Sequence, residues 1–389
     1  MDLEFTDDQT ELRRSVRGFL ERECPPALVR RVVETGEPAV DLWTAMTKLD
    51  WPALAVPEEF GGIGLSFVEV AVVVEELGAC IAPGPYLATV TQFVPAVREA
   101  GTEEQRRRFL GAVASGAITG SLALADHPNR WRVGEVTATA ERGDGGWRLF
   151  GQKPAVLATP DVDEVVVAAR IVGSGGNADD RPAGAGGIGL FVVPGADLKI
   201  TPEHSLDASR PLARIALDGV GVSDDRALGT PGTPESGEAL ARAAEEAAVA
   251  LALEALGACQ RLFDLTLEYS KNRHQFGVPI GSFQAVKHKM ADLFVSIERT
   301  RALVYYAVAA IAEDDPNRSL ASAMAKAAAN DCQRLVCQES IQTFGGIAFT
   351  WEHDVQLYVK RATTDGALFG SSAEHRVGVA ELLGVTRSS

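Results

Sequence analysis

Residues 269–288 read YSKNRHQFGVPIGSFQAVKH and connect two segments with the periodicity of packed helices. In residues 251–269 and again in residues 286–297, apolar side chains recur at alternating steps of four and three. That spacing places them on one face of an α-helix. Three helix-breaking residues separate the two patterns: Gly277, Pro279 and Gly281. The sequence therefore predicts two long helices joined by a short, tight turn.

Arg273 stands where the first of these helices ends, beside an amide and an aromatic ring in Gln275 and Phe276. A planar guanidinium donates two parallel hydrogen bonds to a phosphate, so a pyrophosphate group suits this corner. Alternatively, Arg273 caps the last carbonyl groups of its own helix. Chemistry alone leaves both interpretations open.

The turn resembles a signature of the acyl-CoA dehydrogenase family. The matching residues are Arg273, Gln275, Phe276, Gly277, Pro279, Ile280, Phe283 and Gln284. In that family the Arg, the Gln and the Phe hold the ADP half of an FAD that belongs mainly to the neighbouring subunit. The resemblance therefore implies FAD as cofactor, with five contact residues in this turn: Arg273, Gln275, Phe276, Phe283 and Gln284.

A second segment, QTFGGIAFTWEHD at residues 342–354, agrees with the first. It resembles the Gln-x-x-Gly-Gly loop of the same family, which also contacts the neighbour's FAD. The resemblance assigns this contact to Gln342, Gly345 and Gly346.

Composition limits the classes of partner. The formal net charge is -16, which argues against nucleic acid or an anionic membrane surface. A local cluster of basic residues could still bind an anion such as coenzyme A. The five cysteines are scattered, so we expect reduced thiols and no metal site. The acidic N-terminus lacks an apolar signal, and no run is long enough to span a membrane, which predicts a cytoplasmic protein.

Three regions with different hydrophobic patterns follow one another, and they predict a mainly α chain with a middle β domain. Residues 1–116 read as helices, and residues 117–229 as short strands of a sandwich or barrel. Residues 230–389 read as a four-helix bundle. Its predicted helices cover residues 235–271, 283–312, 319–344 and 354–384. The same order of helical domain, β domain and bundle is that of the acyl-CoA dehydrogenase fold. A glycine-rich stretch, residues 173–187, is expected to be a surface loop.

The family's reaction removes an α-proton and a β-hydride from an acyl-CoA thioester, and the hydride goes to flavin N5. It requires a carboxylate base in an apolar pocket. Counted from Gln342, the family's base Glu falls on Phe369, which cannot take a proton. Some members carry the base on the first bundle helix, at the position of Ala247 here. Glu246 lies next to it, but one residue is about 100° of helix rotation. The alternative for Glu246 and its neighbour Glu245 is a solvated helix face.

The middle domain also departs from the family. The stretch that the family writes as Thr-Glu-Pro-x-x-Gly-Ser-Asp falls near residues 125–131 with little match. The family's Trp-Ile-Thr falls on Ala155, Val156 and Leu157. The aromatic ring and hydroxyl that would cradle the flavin ring are therefore missing from the sequence.

These losses are selective, because the residues that act on a neighbour's FAD are kept. The hypothesis is a base-lacking half of an α2β2 acyl-CoA dehydrogenase, paired with a second chain of the same family. The run from Gly345 to Asp354 resembles actinobacterial heterotetramers that act on steroid side-chain CoA thioesters, and the family implies a flavoprotein electron acceptor. Three alternatives stay open: a self-sufficient homotetramer with Glu246 as a shifted base, a non-redox structural or binding homologue, and a flavin monooxygenase.

Overall fold

The computed structural model describes residues 5–172 and 187–385, so nearly all of the glycine-rich stretch expected to be a loop lies outside the described residues. The N-terminal helices are α1 Asp7–Glu23, α2 Pro26–Thr35, α3 Val40–Thr47, α4 Phe67–Ala79, α5 Tyr86–Ala88, α6 Val94–Ala100 and α7 Glu103–Ala114. A π-helical turn, Thr89–Phe93, joins α5 to α6. The first helix begins at the Thr6–Gln9 capping box that its sequence predicts.

A single curled sheet follows the N-terminal helices. Its strands are β1 Gly120–Ala123, β2 Thr139–Gly143, β3 Gly146–Val156, β4 Glu164–Val172, β5 Ile188–Pro194, β6 Lys199–Glu203 and β7 Leu212–Ser223. The order is β1-β4-β2-β3-β7-β6, with β5 also paired to β4. Alternate residues of β7, such as Ala213, Ile215 and Leu217, are buried in a core that the sheet forms with its own side chains. The predicted β region is thus one half-barrel sheet.

The C-terminal region is helical. It contains α8 Pro234–Asn272, a two-strand hairpin of β8 His274–Gln275 and β9 Val278–Pro279, α9 Gln284–Ala312, α10 Arg318–Phe344, α11 Val355–Ala367 and α12 Ser372–Leu382. The mainly α fold with a central β region is confirmed. The exact domain boundaries stay predictions.

One helix prediction is wrong. The pattern over residues 354–384 is two helices, because the backbone reverses at Phe369 (φ 53°) and Gly370 (φ 105°). A right-handed helix cannot continue through positive φ angles. Ser371 then starts α12 with a capping box to Glu374. Phe369 therefore lies in the turn between α11 and α12 and not on a helix face.

Helices α4 and α8 cross in direct backbone contact. A Cβ atom added to Gly78 would lie 2.1 Å from the carbonyl oxygen of Glu254, and one added to Gly257 would lie 1.9 Å from that of Glu75. Only glycine fits at such distances. The crossing joins the N-terminal helices to the bundle and fixes the position of α8, which carries Glu246 and leads into the hairpin.

Candidate active site

The hairpin after α8 presents its polar and aromatic side chains to solvent. Gln275 pairs with Val278, and the turn residues Phe276 and Gly277 both have positive φ angles, 53° and 80°. Two such residues form the tight turn that suits a two-residue hairpin. Phe276 adopts a conformation that is strained for a residue with a Cβ atom. Its ring is 93% exposed and meets the edge of Phe283 at 6.2 Å.

Arg273 lies on the exposed surface at the base of this hairpin. Its backbone N–H donates to the carbonyl oxygen of Tyr269 and ends α8. Its guanidinium makes no hydrogen bond or ion pair with any residue in the ranges 5–172 and 187–385. The side chain is therefore not used as a cap in this structure, and its charge is available to a ligand.

The two segments that the family resemblance assigns to FAD meet at one end of the bundle. Tyr269, near the end of α8, stacks on Phe344, the last residue of α10, with ring centroids 4.4 Å apart. Gly345 follows directly with φ 69°, and Gln342, Gly345 and Gly346 are all exposed. Sequence predicted each segment, and the aromatic stack explains how they come together.

Phe369, which the sequence count places at the family's base position, is packed against an aromatic partner. Its ring is 5% exposed and stacks on Trp131 at 4.8 Å with an interplanar angle of 24°. The indole N–H of Trp131 donates to the carbonyl oxygen of Pro128 at 3.1 Å, which fixes the loop that carries it. Phe369 and Trp131 thus form a buried aromatic pair.

The turn that holds Phe369 is fixed by side chains on both sides. His375 Nε2 lies 2.8 Å from the Phe369 carbonyl oxygen, and Asn330 Nδ2 donates to the Gly370 carbonyl oxygen at 3.2 Å. Burial lowers the pKa of His375 to about 4, so the ring is neutral near pH 7. A neutral imidazole whose Nε2 carries the proton donates to the Phe369 carbonyl. The turn is therefore pinned at both of its carbonyl groups.

Sequence reasoning missed Trp131. It lies in the HPNRWR stretch, where the comparison with the family pattern failed and drew attention only to what was lacking. A Trp is a large apolar group in an otherwise polar loop, and that is a signal for a buried contact. The partner, 238 positions further on, could not be inferred from spacing.

Glu246 is buried, so the solvated-face expectation is wrong for this residue. It is 1% exposed, and its Oε2 lies 2.6 Å from Nη2 of Arg98. Burial acts to lower the pKa of Arg98, but the Glu246 carboxylate outweighs it and raises that pKa, which keeps the guanidinium charged. Glu245 is half-buried and binds Arg318 at 2.9 Å. Ala247, the counted base position, is fully buried.

A buried ion pair precedes the positions that the family comparison assigns to the flavin ring. Lys153 is fully buried, and its Nζ lies 2.8 Å from Asp126 Oδ1 and 2.9 Å from the Leu124 carbonyl oxygen. Burial lowers the pKa of Lys153 to about 8, against the opposing charge of Asp126. The ion pair ties β3 to the segment leading to Trp131. The side chains of Ala155, Val156 and Leu157 that follow Lys153 are apolar, so these three positions offer no polar side chain to a flavin ring.

Further findings concern thiols, metals and membranes. The five cysteines are free thiols. Within residues 5–172 and 187–385, no three His, Cys, Asp or Glu side chains are grouped so as to hold a metal ion. Over the same ranges, no helix combines the length and the apolar character that crossing a bilayer requires.

Two family models match most of the chain. Residues 6–117 match the N-terminal domain of acyl-CoA dehydrogenases, and residues 238–383 match the C-terminal domain. The chain is 30% identical to acyl-CoA dehydrogenase IpdE2 of Mycolicibacterium smegmatis over 374 residues, covering 95% of this chain and 97% of that protein. It is 31% identical to IpdE2 of Mycobacterium tuberculosis, covering 95% of both. The chain therefore belongs to the acyl-CoA dehydrogenase family.

Solved structures of similar proteins agree with this family membership. A variant of the Tcur3481-Tcur3483 steroid ACAD is 28% identical, with a TM-score of 0.83, covering 97% of this chain and 98% of the other. The butyryl-CoA dehydrogenase of Megasphaera elsdenii is 24% identical, with a TM-score of 0.87. The match covers 98% of this chain and 100% of that chain, and it shows that the two share a fold. Enzymes of this family are FAD-dependent oxidoreductases that act on CH–CH bonds, and FAD is the family's cofactor.

Proposed function

We propose that this chain is the base-lacking subunit of an FAD-dependent acyl-CoA dehydrogenase and shares its active site with a second chain of the same family in an α2β2 assembly. The observation that carries the proposal is the buried Phe369–Trp131 stack at the base position. A phenyl ring cannot accept the α-proton. The exposed Arg273 hairpin supports an active site shared with a second chain, because a ligand held mainly by another subunit requires residues that face outward.

The chain's own residues then have binding and positioning roles. Arg273 and Gln275 would donate hydrogen bonds to the ADP half of the partner's FAD, and Phe276 would lie against it. Gln342, Gly345 and Gly346 would approach the same cofactor from the neighbouring loop. FAD, when bound, supplies the acceptor for the β-hydride. The proton must go to a carboxylate on the other chain.

The substrate class follows from the relatives by analogy. IpdE2 is named an acyl-CoA dehydrogenase and the Tcur protein a steroid ACAD. We therefore propose an acyl-CoA from lipid or steroid side-chain breakdown, oxidised in the cytoplasm with a flavoprotein as electron acceptor. The net charge of -16 is compatible with an acyl-CoA substrate if local basic groups bind the anionic coenzyme A.

The second candidate is a self-sufficient homotetramer with Glu246 as base. Its burial favours this role, since a base works best away from water. Its ion pair with Arg98 counts against it, because the carboxylate is already engaged at 2.6 Å. Glu246→Gln separates the two proposals. Turnover that survives the substitution excludes Glu246 as the base.

The direct test is to produce the chain alone and together with a second acyl-CoA dehydrogenase chain, and to follow flavin bleaching after anaerobic addition of acyl-CoA. We expect bleaching only from the two-chain sample. Phe369→Leu in this chain should leave the bleaching rate within a few-fold, because neither side chain takes a proton. Bleaching by the isolated chain would overturn the proposal, and no bleaching in either sample would favour the non-redox homologue.

A further inference from the structure

Six charged side chains form a buried cluster where the β region meets the bundle. They are Asp207 and Arg210 from the loop between β6 and β7, Glu254 from α8, Lys326 from α10, and Arg361 and Asp365 from α11. All six are at least nine-tenths buried. Arg361 binds Asp207 and also lies 2.9 Å from Glu254 Oε1. Arg210 pairs with the same Glu254 oxygen and lies 3.3 Å from Asp365.

Several buried polar atoms in and beside this cluster have no hydrogen-bond partner among the described residues. They include both carboxyl oxygens of Asp365 and three atoms considered next: Nε of Arg210, Oε2 of Glu254 and the hydroxyl of Tyr86. Buried polar atoms in native proteins are almost always paired with protein or with ordered water. Leaving such groups unpaired forfeits the hydrogen bonds that they make to water in the unfolded chain.

Tyr86, Arg210 and Glu254 line the same small cavity. A cavity of about 20 Å³ lies among Tyr86, Arg210, Glu254 and the apolar side chains of Trp43 and Met46. About 10–15 Å³ by this measure is enough for one water molecule, which needs two to four polar partners. Tyr86, Arg210 and Glu254 all line this space, which has room for a water molecule.

The chemistry of the three atoms selects a neutral ligand that both donates and accepts. Arg210 Nε can only donate, Glu254 Oε2 accepts, and the Tyr86 hydroxyl can do either. A metal ion would be repelled by the guanidinium of Arg210, and an anion by the carboxylate of Glu254. Burial raises the pKa of Tyr86, so its hydroxyl stays protonated at neutral pH.

We propose that Tyr86, Arg210 and Glu254 bind one internal water molecule, which joins the N-terminal helices, the loop between β6 and β7, and α8 through a single hydrogen-bonded centre. This inference does not depend on the proposed function. The water completes the side of the six-charge cluster that faces Tyr86. It explains how Arg210 and Glu254 can be buried there without unmet hydrogen bonds.

The first test is the sign of a stability change. If the Tyr86 hydroxyl is bonded to a water, Tyr86→Phe removes hydrogen bonds and lowers the thermal midpoint of the purified protein by about 1–3 °C. If that hydroxyl has no partner, the same substitution removes an unpaired buried group, and the midpoint stays or rises. Tyr306→Phe is the control, since Tyr306 is only half-buried. A midpoint that does not fall overturns the proposal.

The second test is a high-resolution crystal structure of the protein in its purified assembly. We expect one spherical density peak at hydrogen-bond distance, about 2.7–3.2 Å, from the three atoms. An empty cavity, or a direct bond between Tyr86 and Glu254, contradicts the water site. An anomalous signal at that position after a rubidium soak would identify a cation and contradict it as well.

Discussion

At the scale of single residues, the exposed guanidinium of Arg273 is the group whose role is most specific. It has no partner within residues 5–172 and 187–385, although arginine readily forms surface ion pairs. A bidentate contact with a phosphate would use its planar donors, which lysine cannot imitate. We therefore propose that Arg273 binds the pyrophosphate of an FAD held mainly by another subunit.

Arg273→Ala should reduce the affinity of the assembled enzyme for FAD. A hydrogen bond to a charged group contributes about 1.5–3 kcal/mol, which corresponds to about 10–100-fold weaker binding. Titration of apo-enzyme with FAD measures this. Lys271→Ala is the matched control, since Lys271 is also exposed in the last turn of α8. Equal affinities for the Arg273 and Lys271 variants would refute the assignment.

Asp365 provides a prediction about pH. Burial raises the pKa of its carboxyl to about 7, against the opposing effect of Arg210. Because the folded state favours the protonated form, this contribution to stability is full below the ordinary pKa near 3.9 and is lost as pH rises through about 7.

Asp365→Asn should therefore gain stability relative to the parent protein as the pH rises from 5 to 8, by about 1–4 kcal/mol. Urea unfolding at the two pH values tests this, with the exposed Asp161→Asn as control. A variant whose stability relative to the parent protein falls between pH 5 and pH 8 would show instead that Arg210 and its neighbours hold the carboxylate ionised.

At the scale of elements, the hairpin of β8 and β9 stores strain at an exposed position. Phe276 has a φ angle of 53° and a ring that is 93% exposed, so neither its backbone nor its side chain contributes much to the stability of a single chain. Such strain is typical of residues kept for binding.

Phe276→Gly should raise the free energy of unfolding of the isolated chain by about 1 kcal/mol, because glycine adopts positive φ without cost. The same change should lower the FAD content of the assembly. Phe276→Leu is the control, since it keeps the strain and loses only the ring. Its unfolding free energy should stay at the parent value while its FAD content falls. A stable Phe276→Gly assembly with full FAD content would exclude a cofactor role for the ring.

The crossing of α4 and α8 gives a second prediction at this scale. Gly257→Ala would place a Cβ atom 1.9 Å from the Glu75 carbonyl oxygen, so the helices must separate. Overpacking of this kind costs about 1–3 kcal/mol. Gly237→Ala, on the same helix with open space around it, should stabilise by up to about 1 kcal/mol. Chemical denaturation compares the two, and equal effects would contradict the close crossing.

At the scale of the whole molecule, local patterns predicted the fold better than the site. The ends of α8, α9 and α10 fall within a residue of the predicted 235–271, 283–312 and 319–344, because apolar periodicity and helix breakers are local signals. The break at Phe369 was missed although Gly370 and the Ser371–Glu374 capping box are local signals of a helix end and a helix start. The burial of Glu246 was missed because its partner Arg98 comes from another helix.

The difference between local signals and contacts of distant residues also explains which part of the candidate site could be predicted from sequence. The two segments predicted to contact FAD are contiguous motifs, so the sequence could name their residues one by one, and their role stays a prediction. The place where the segments meet, the stack of Tyr269 on Phe344, required the structure. The sequence count predicted Phe369 at the base position, but it did not predict the aromatic pair that Phe369 forms with Trp131.

We propose that this chain contributes to the binding of a flavin that it does not hold alone. The FAD-to-polypeptide ratio of the chain purified by itself, from absorbance after denaturation, tests this proposal. We expect a ratio near zero, rising when the second dehydrogenase chain is present. A ratio near one FAD per chain would contradict it, and would make Glu246 the residue to test as base.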